Sequence, residues 1–190
     1  GWFQEWWIAR NPERHQGVRA DPDAARAPSL LAQADAWYDS SRVQHGTRWD
    51  LPLPDRAATL RYLSDALDRT LEMLDALPPD AGDDALYFFR LVAMHEQMHA
   101  EAAVYMGHGL GFALSESAAP PKVRGGGEIE VPAARFELGR TGPGFAFDNE
   151  LGPHPVALSP YAIDAGPVTW GAYLPFVEAG GYEDLQWWTP

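Results

Sequence analysis

The stretch Asp84–Met106, DALYFFRLVAMHEQMHAEAAVYM, constrains this chain more than any other. It predicts one long helix with His95 and His99 near its middle. Residues four apart lie one above the other on a helix face, so both imidazoles reach one metal ion. Leu86, Phe89, Leu91, Val92 and Met94 supply apolar bulk that buries the first half. A lone His on such a face is most often a satisfied core residue. A pair at this spacing, flanked by Glu96 and Glu101, points to metal.

The 190 residues suffice for one large domain, or a small domain plus part of another. No Cys is present. That removes disulfides, thiolate metal sites and thiol catalysis, and fits a reducing compartment such as the cytoplasm. A net charge of −13 argues against a nucleic-acid partner, which needs a basic face. No apolar run reaches the ~20 residues needed to span a bilayer, so no membrane partner is expected. No secretory signal opens the chain. Both ends read as cut: Gly1 runs straight into the helical GWFQEWWIAR. The chain closes on Trp187-Trp188-Thr189-Pro190, an aromatic cluster with nothing downstream to pack on.

Along the chain, Trp2, Phe3, Trp6 and Trp7 recur at spacings of three and four and predict an aromatic-faced helix, stopped by Asn11-Pro12. Residues 12–28 read as loop. Ser29 is placed to cap a short helix, LLAQADAWY. After an irregular stretch, Asp55 caps a long helix whose Leu60, Leu63, Leu67, Leu71 and Leu74 predict the buried stripe; Pro78-Pro79 ends it. Asp83 or Asp84 is expected to cap the histidine helix, and Gly107 and Gly109 to end it. A helical bundle over 1–114 follows. Residues 115–127 have linker composition. Beyond them, short extended pieces at 128–131, 135–138, 156–158 and 161–163 and a short helix at 173–178 predict a mixed second domain over 128–190. The fold class is α+β.

His95-Glu96-Gln97-Met98-His99 matches H-E-x-x-H, in which two His hold zinc and the Glu is general base for a zinc-bound water. No third ligand follows at a zinc-protease spacing. A second reading takes two His from this helix and one ligand from another, leaving open positions that suit Zn or Fe(II). Glu96 then accepts a hydrogen bond from an imidazole and orients it. Glu101 is turned about 200° from His99 around the helix and is read as a partner elsewhere. Arg42 and Arg48 flank His45 in one loop. Arg suits planar recognition of carboxylate or phosphate, so these three are candidate substrate-binding residues, with surface ion pairs as the alternative. The aromatic-rich starts of both domains suit a quaternary ammonium by cation–π contact, or form core.

HEQMHAEA, together with GWFQEWW before it and FAFDNE, GGY and WW after it, resembles the ergothioneine-type sulfoxide synthases over nearly the whole chain. The resemblance implies a DinB-like helical bundle joined to a domain of the formylglycine-generating-enzyme, C-type-lectin-like fold. It implies a mononuclear non-haem Fe(II) held by three histidines, and O2-dependent joining of a sulfur or selenium donor to hercynine. His95 and His99 match the family's helix pair. The third iron-binding His is expected upstream of Gly1, with His45 as the fallback within the bundle. His15, His108 and His154 are read as solvated or structural. Met98, where the family often has Gln, Trp170, where it usually has Asn, and the loop RVQHGTRWDLPLP resemble the selenoneine-synthase branch, which uses a selenosugar in place of a thiol. The catalytic proton or electron donor is expected beyond Pro190, and the site between the two domains. The alternatives are a zinc hydrolase and a non-catalytic DinB-like metal-binding bundle.

Overall fold

The computed structural model describes residues 1–112 and 126–188. They form two compact units. One holds the described residues up to 112 together with Arg140–Gly152; the other holds 126–139 and 153–188. Most of the expected linker, 115–125, lies outside the described residues. Helices and two small ladders make the class α+β. Among the described residues no helix is long and apolar enough to cross a membrane.

The first unit is organised around its opening helix. This helix, α1, is α-helical over Trp2–Gln4 and widens to a π-helix over Glu5–Ala9, where the Arg10 N–H donates to the Glu5 carbonyl at 2.8 Å. Ile8 is fully buried and clusters with Ala20, Phe88 and Val92, while Trp7 stacks on Phe88 at 5.0 Å between centroids. The long helices that α1 contacts are α3 (Arg56–Asp75) and α4 (Asp83–Gly109). A short α2 covers Ala34–Tyr38.

The leucine stripe of α3 is not the buried face. Leu60, Leu63, Leu67 and Leu71 are exposed, and Tyr62, Ala66 and Thr70 are buried instead, one turn apart on another side of the helix. The reason lies in α1, which presents polar side chains to α3. Gln4 Nε2 donates to the Ala66 carbonyl at 3.2 Å and to Thr70 Oγ1 at 2.6 Å. The Glu5 carboxylate, 2% exposed, accepts from the Tyr62 hydroxyl at 2.5 Å, the Ser29 hydroxyl at 2.5 Å and the Leu30 N–H at 2.8 Å. A buried carboxylate is tolerated only with such donors, so α3 turns its Tyr62, Ala66 and Thr70 face inward.

The same carboxylate explains a second departure. Ser29 does not cap a helix; its hydroxyl donates to Glu5, and α2 begins only after Gln33, which adopts φ +67°. Asp55 caps α3 as expected, accepting from the Ala58 N–H at 2.7 Å. Asp83 and Asp84 sit inside the first turn of α4, and Gly82 is the N-cap. Their carboxylates are engaged elsewhere: Asp83 pairs with Arg90 two turns along the same helix and accepts from the Gly144 N–H at 2.6 Å, and Asp84 pairs with Arg19. Gly17, at φ +59°, passes so close to α4 that a Cβ would lie 2.8 Å from the Asp84 Cα. Residues 140–152 also pack on α4, with the Phe145 ring 5.3 Å from Tyr87.

In the second unit β1 (Glu128–Val131) pairs antiparallel with β4 (Tyr161–Asp164), and β2 (Ala134–Leu138) with β3 (His154–Leu158). Thr169 caps α5 (Trp170–Glu178), accepting from the Ala172 N–H at 3.3 Å. Trp188 packs back on Tyr182, stacked at 5.6 Å, so this part of the closing aromatic cluster finds its partner upstream.

Glu5→Gln turns an amide N–H toward one of three donors, and Tyr62→Phe removes one donor. Each is expected to lower the unfolding free energy by about 1–3 kcal/mol. Urea denaturation of the full-length protein reads the change; an unaltered midpoint in both variants would show that α1 is anchored elsewhere.

Candidate metal centre

Helix α4 carries His95 and His99 on one face, as their spacing predicts. Their Nε2 atoms are 3.2 Å apart. With no metal, one N–H···N hydrogen bond satisfies that pair. The same approach suits two ligands of one ion: nitrogens at about 2.1 Å stand about 3.0 Å apart at a right angle and about 3.4 Å apart at the tetrahedral angle. The two imidazoles therefore fit a shared metal. Among the described residues no group of three His, Asp or Glu side chains is placed to hold an ion.

The pair borders a cleft of about 420 Å³, whose lining also includes Gly1, Trp2, Phe3, Tyr38, Tyr62 and Glu96. Phe3 lies flat on His95, 3.7 Å between centroids and 9° between planes. Tyr38 and Tyr62 stack in parallel at 6.5 Å. Tyr62 contributes its ring to the cleft and its hydroxyl to Glu5, and burial, with Glu5 adding, pushes its phenol far above the usual range. The wall is thus largely aromatic, with one carboxylate beside the two imidazoles.

His95 is half-buried and His99 exposed. Burial holds the His95 imidazole below its usual range, and neighbouring His99 pushes it the same way against the pull of Glu96. A neutral ring is the form that binds metal. The His95 Nδ1 is buried with no hydrogen-bond partner among the described residues. Glu96 borders the cleft, yet it does not accept that proton.

The loop residues lie elsewhere. Arg42 pairs with Asp39 at 3.3 Å, and the Arg48 guanidinium donates to the carbonyls of Ser40 and Val43. His45 opens an exposed 3-10 turn, His45–Asp50. None of the three borders the histidine cleft, although Ser40 of the same loop does. His15 is exposed, His108 lies exposed in the last turn of α4, and His154 sits in β3 opposite Leu138. Sequence reasoning missed Phe3, Tyr38 and Tyr62 as walls of the site. The three- and four-residue aromatic spacing in α1 placed Phe3 on an aromatic helix face without saying what it meets.

A histidine titration followed by NMR in the metal-free, full-length protein is expected to give His95 a midpoint below about 6.5. In His99→Ala that midpoint rises only part of the way, because burial is the larger cause. The sign for stability follows: acid protonates the unfolded chain first, so this group destabilises the fold as pH falls below about 6.5. A normal His95 midpoint would mean the ring is solvated.

No protein-family model matches the chain. It is similar over its whole length to three curated proteins, each named hercynine oxygenase. They come from Mycolicibacterium smegmatis (31% identical), Mycolicibacterium thermoresistibile (32%) and Mycobacterium tuberculosis (29%). The chain spans 43%, 41% and 43% of their respective lengths. All three names point to the same group, which supports the sulfoxide-synthase family and not its selenoneine branch. With the histidine pair and the FAFDNE, GGY and WW strings, the whole-length similarity carries the conclusion: this chain is related to the hercynine oxygenases, the ergothioneine-type sulfoxide synthases, and matches about two fifths of their length.

Proposed function

We propose that the chain forms the metal-binding part of an iron(II)- and O2-dependent enzyme that joins a chalcogen donor to the imidazole ring of hercynine. The observation that carries this reading is the His95–His99 pair, two Nε2 atoms 3.2 Å apart at the edge of an aromatic cleft, in a chain whose relatives are named hercynine oxygenase. His95 and His99 hold the iron, with a third histidine from before Gly1. Bound iron(II) supplies the redox chemistry that dioxygen and a closed-shell donor need to react. The bundle is of the DinB-like type and the second unit the start of a formylglycine-generating-enzyme-like domain.

The chain's own residues hold and line the site. Trp2, Phe3, Tyr38 and Tyr62 wall one side of the cleft with aromatic rings. Glu96 lies where it can pair with a cationic substrate group. For Arg42, Arg48 and His45 the support is their loop alone, whose Ser40 borders the cleft; they are assigned to the donor's polar end. With a thiol donor the reaction balances as one thiol S–H and one imidazole C–H exchanged for a C–S bond. One oxygen atom of O2 ends on sulfur and the other leaves as water.

The zinc-hydrolase reading keeps Glu96 as general base, and no relative's name supports it. Anaerobic iron(II) loading of the full-length protein, followed by O2 electrode traces with hercynine and each donor in turn, separates the readings. One O2 consumed per product with a thiol such as cysteine or γ-glutamylcysteine is the expected outcome, lost in His95→Ala and His99→Ala. Uptake with a selenosugar alone would move the assignment to selenium. No uptake with any donor, and zinc retained in place of iron, would return the site to hydrolysis.

A further inference from the structure

Metal-ligating histidines nearly always donate their second ring N–H to a carboxylate, a carbonyl or water, and that bond fixes the ring. His95 breaks this pattern. Ligation through Nε2 leaves the ring proton on Nδ1, which is buried and has no partner among the described residues. Its orientation therefore has another source. Phe3 covers one face of the ring at 3.7 Å and 9°, and His99 meets it at 4.4 Å and 65°. Phe3 is itself held firmly: its ring meets Trp7 edge-on at 6.2 Å, and the next two residues, Gln4 and Glu5, are pinned to α3 by buried hydrogen bonds.

We infer that Phe3 is a positioning residue for the metal centre: its ring, stacked on His95, sets the plane of that imidazole in place of the usual hydrogen bond to Nδ1. The inference rests on the reading of His95 as a metal ligand. It extends the site from α4 to α1, because the helix that carries Phe3 is locked before any metal arrives. An aromatic ring at position 3 is what the role needs; apolar bulk alone does not supply a flat face.

The test uses the full-length protein and cobalt(II), whose visible absorption reports ligand geometry, with a chromophoric chelator in competition for affinity. Phe3→Leu keeps apolar volume and removes the ring; it is expected to weaken cobalt binding about 10–100-fold, the range for losing an orienting partner, and to shift the absorption bands. Phe3→Tyr is expected to keep both. Wild-type affinity and bands in Phe3→Leu, with binding lost in His95→Ala, would overturn the stacking role and leave the metal reading intact. Equal weakening in Phe3→Leu and Phe3→Tyr would also overturn it. Unchanged binding in His95→Ala would remove the metal reading and this inference together. A measurement on the unaltered, metal-free protein stands beside these, independent of how the variants fold. The carbon-bound ring protons of His95 are expected upfield of a free histidine's because they lie over the Phe3 face, and ordinary shifts there would overturn the proposal.

Discussion

A carboxylate that water cannot reach governs the helical unit. Glu5 is almost fully buried and takes hydrogen bonds from a hydroxyl on α3, a hydroxyl in the 29–31 turn and a backbone N–H in that turn. Leaving any of these donors out would strand charge in a low-dielectric interior, where its cost is several-fold higher than at the surface. The three donors are separated in sequence from Glu5 by 24 to 57 residues. Satisfying one group thus draws three distant segments together. The opening helix becomes the wedge between the two long ones, and its apolar side is left to face α4.

A second polar seam runs beside the first. The Arg10 guanidinium, 5% exposed, makes paired hydrogen bonds to Asp35 at 2.7 and 2.8 Å and donates to the Ala27 carbonyl. It holds the Asp35 carboxyl below its usual range, and the Trp2 indole adds a hydrogen bond at 2.6 Å. Arg10 and Arg26 both lie over the Trp6 ring, at 5.2 and 5.1 Å. The aromatic residues of this helix are therefore divided by task. Trp2 joins the polar seam and also borders the histidine cleft, Trp6 belongs to the seam, Trp7 to the core, and Phe3 to the histidines.

Local signals were legible in the sequence wherever a residue acts on its own neighbourhood. The His95–His99 spacing gave the right helix and the right face, Asp55 capped where it should, and the four extended pieces paired as strands within one or two residues of their expected limits. What failed were inferences in which a distant partner decides. Ser29 has a capping residue's chemistry, but the Glu5 carboxylate takes its hydroxyl. The leucines of α3 have core periodicity, yet the demand of buried polar groups rotates the helix so that Tyr62, Ala66 and Thr70 face inward. The site followed the same rule. Its two imidazoles come from one helix and were readable, whereas Phe3, Tyr38 and Tyr62 come from three other elements and no spacing connects them.

The π-helical turn at Glu5–Ala9 has a consequence for what sequence change this site can absorb. An i→i+5 turn amounts to one residue more than an α-helix would use over the same rise. Its widening sets the phase between what comes before it, Phe3 and Gln4, and what comes after, Ile8 and Arg10. Removing one residue from the turn would swing the two halves by about 100° relative to each other. With Ile8 and Arg10 kept in their places, Phe3 would leave the imidazole and Gln4 would leave Thr70. Substitutions along this helix can be absorbed one side chain at a time, but its length cannot: a single-codon deletion here is a change of gear between core and histidine cleft.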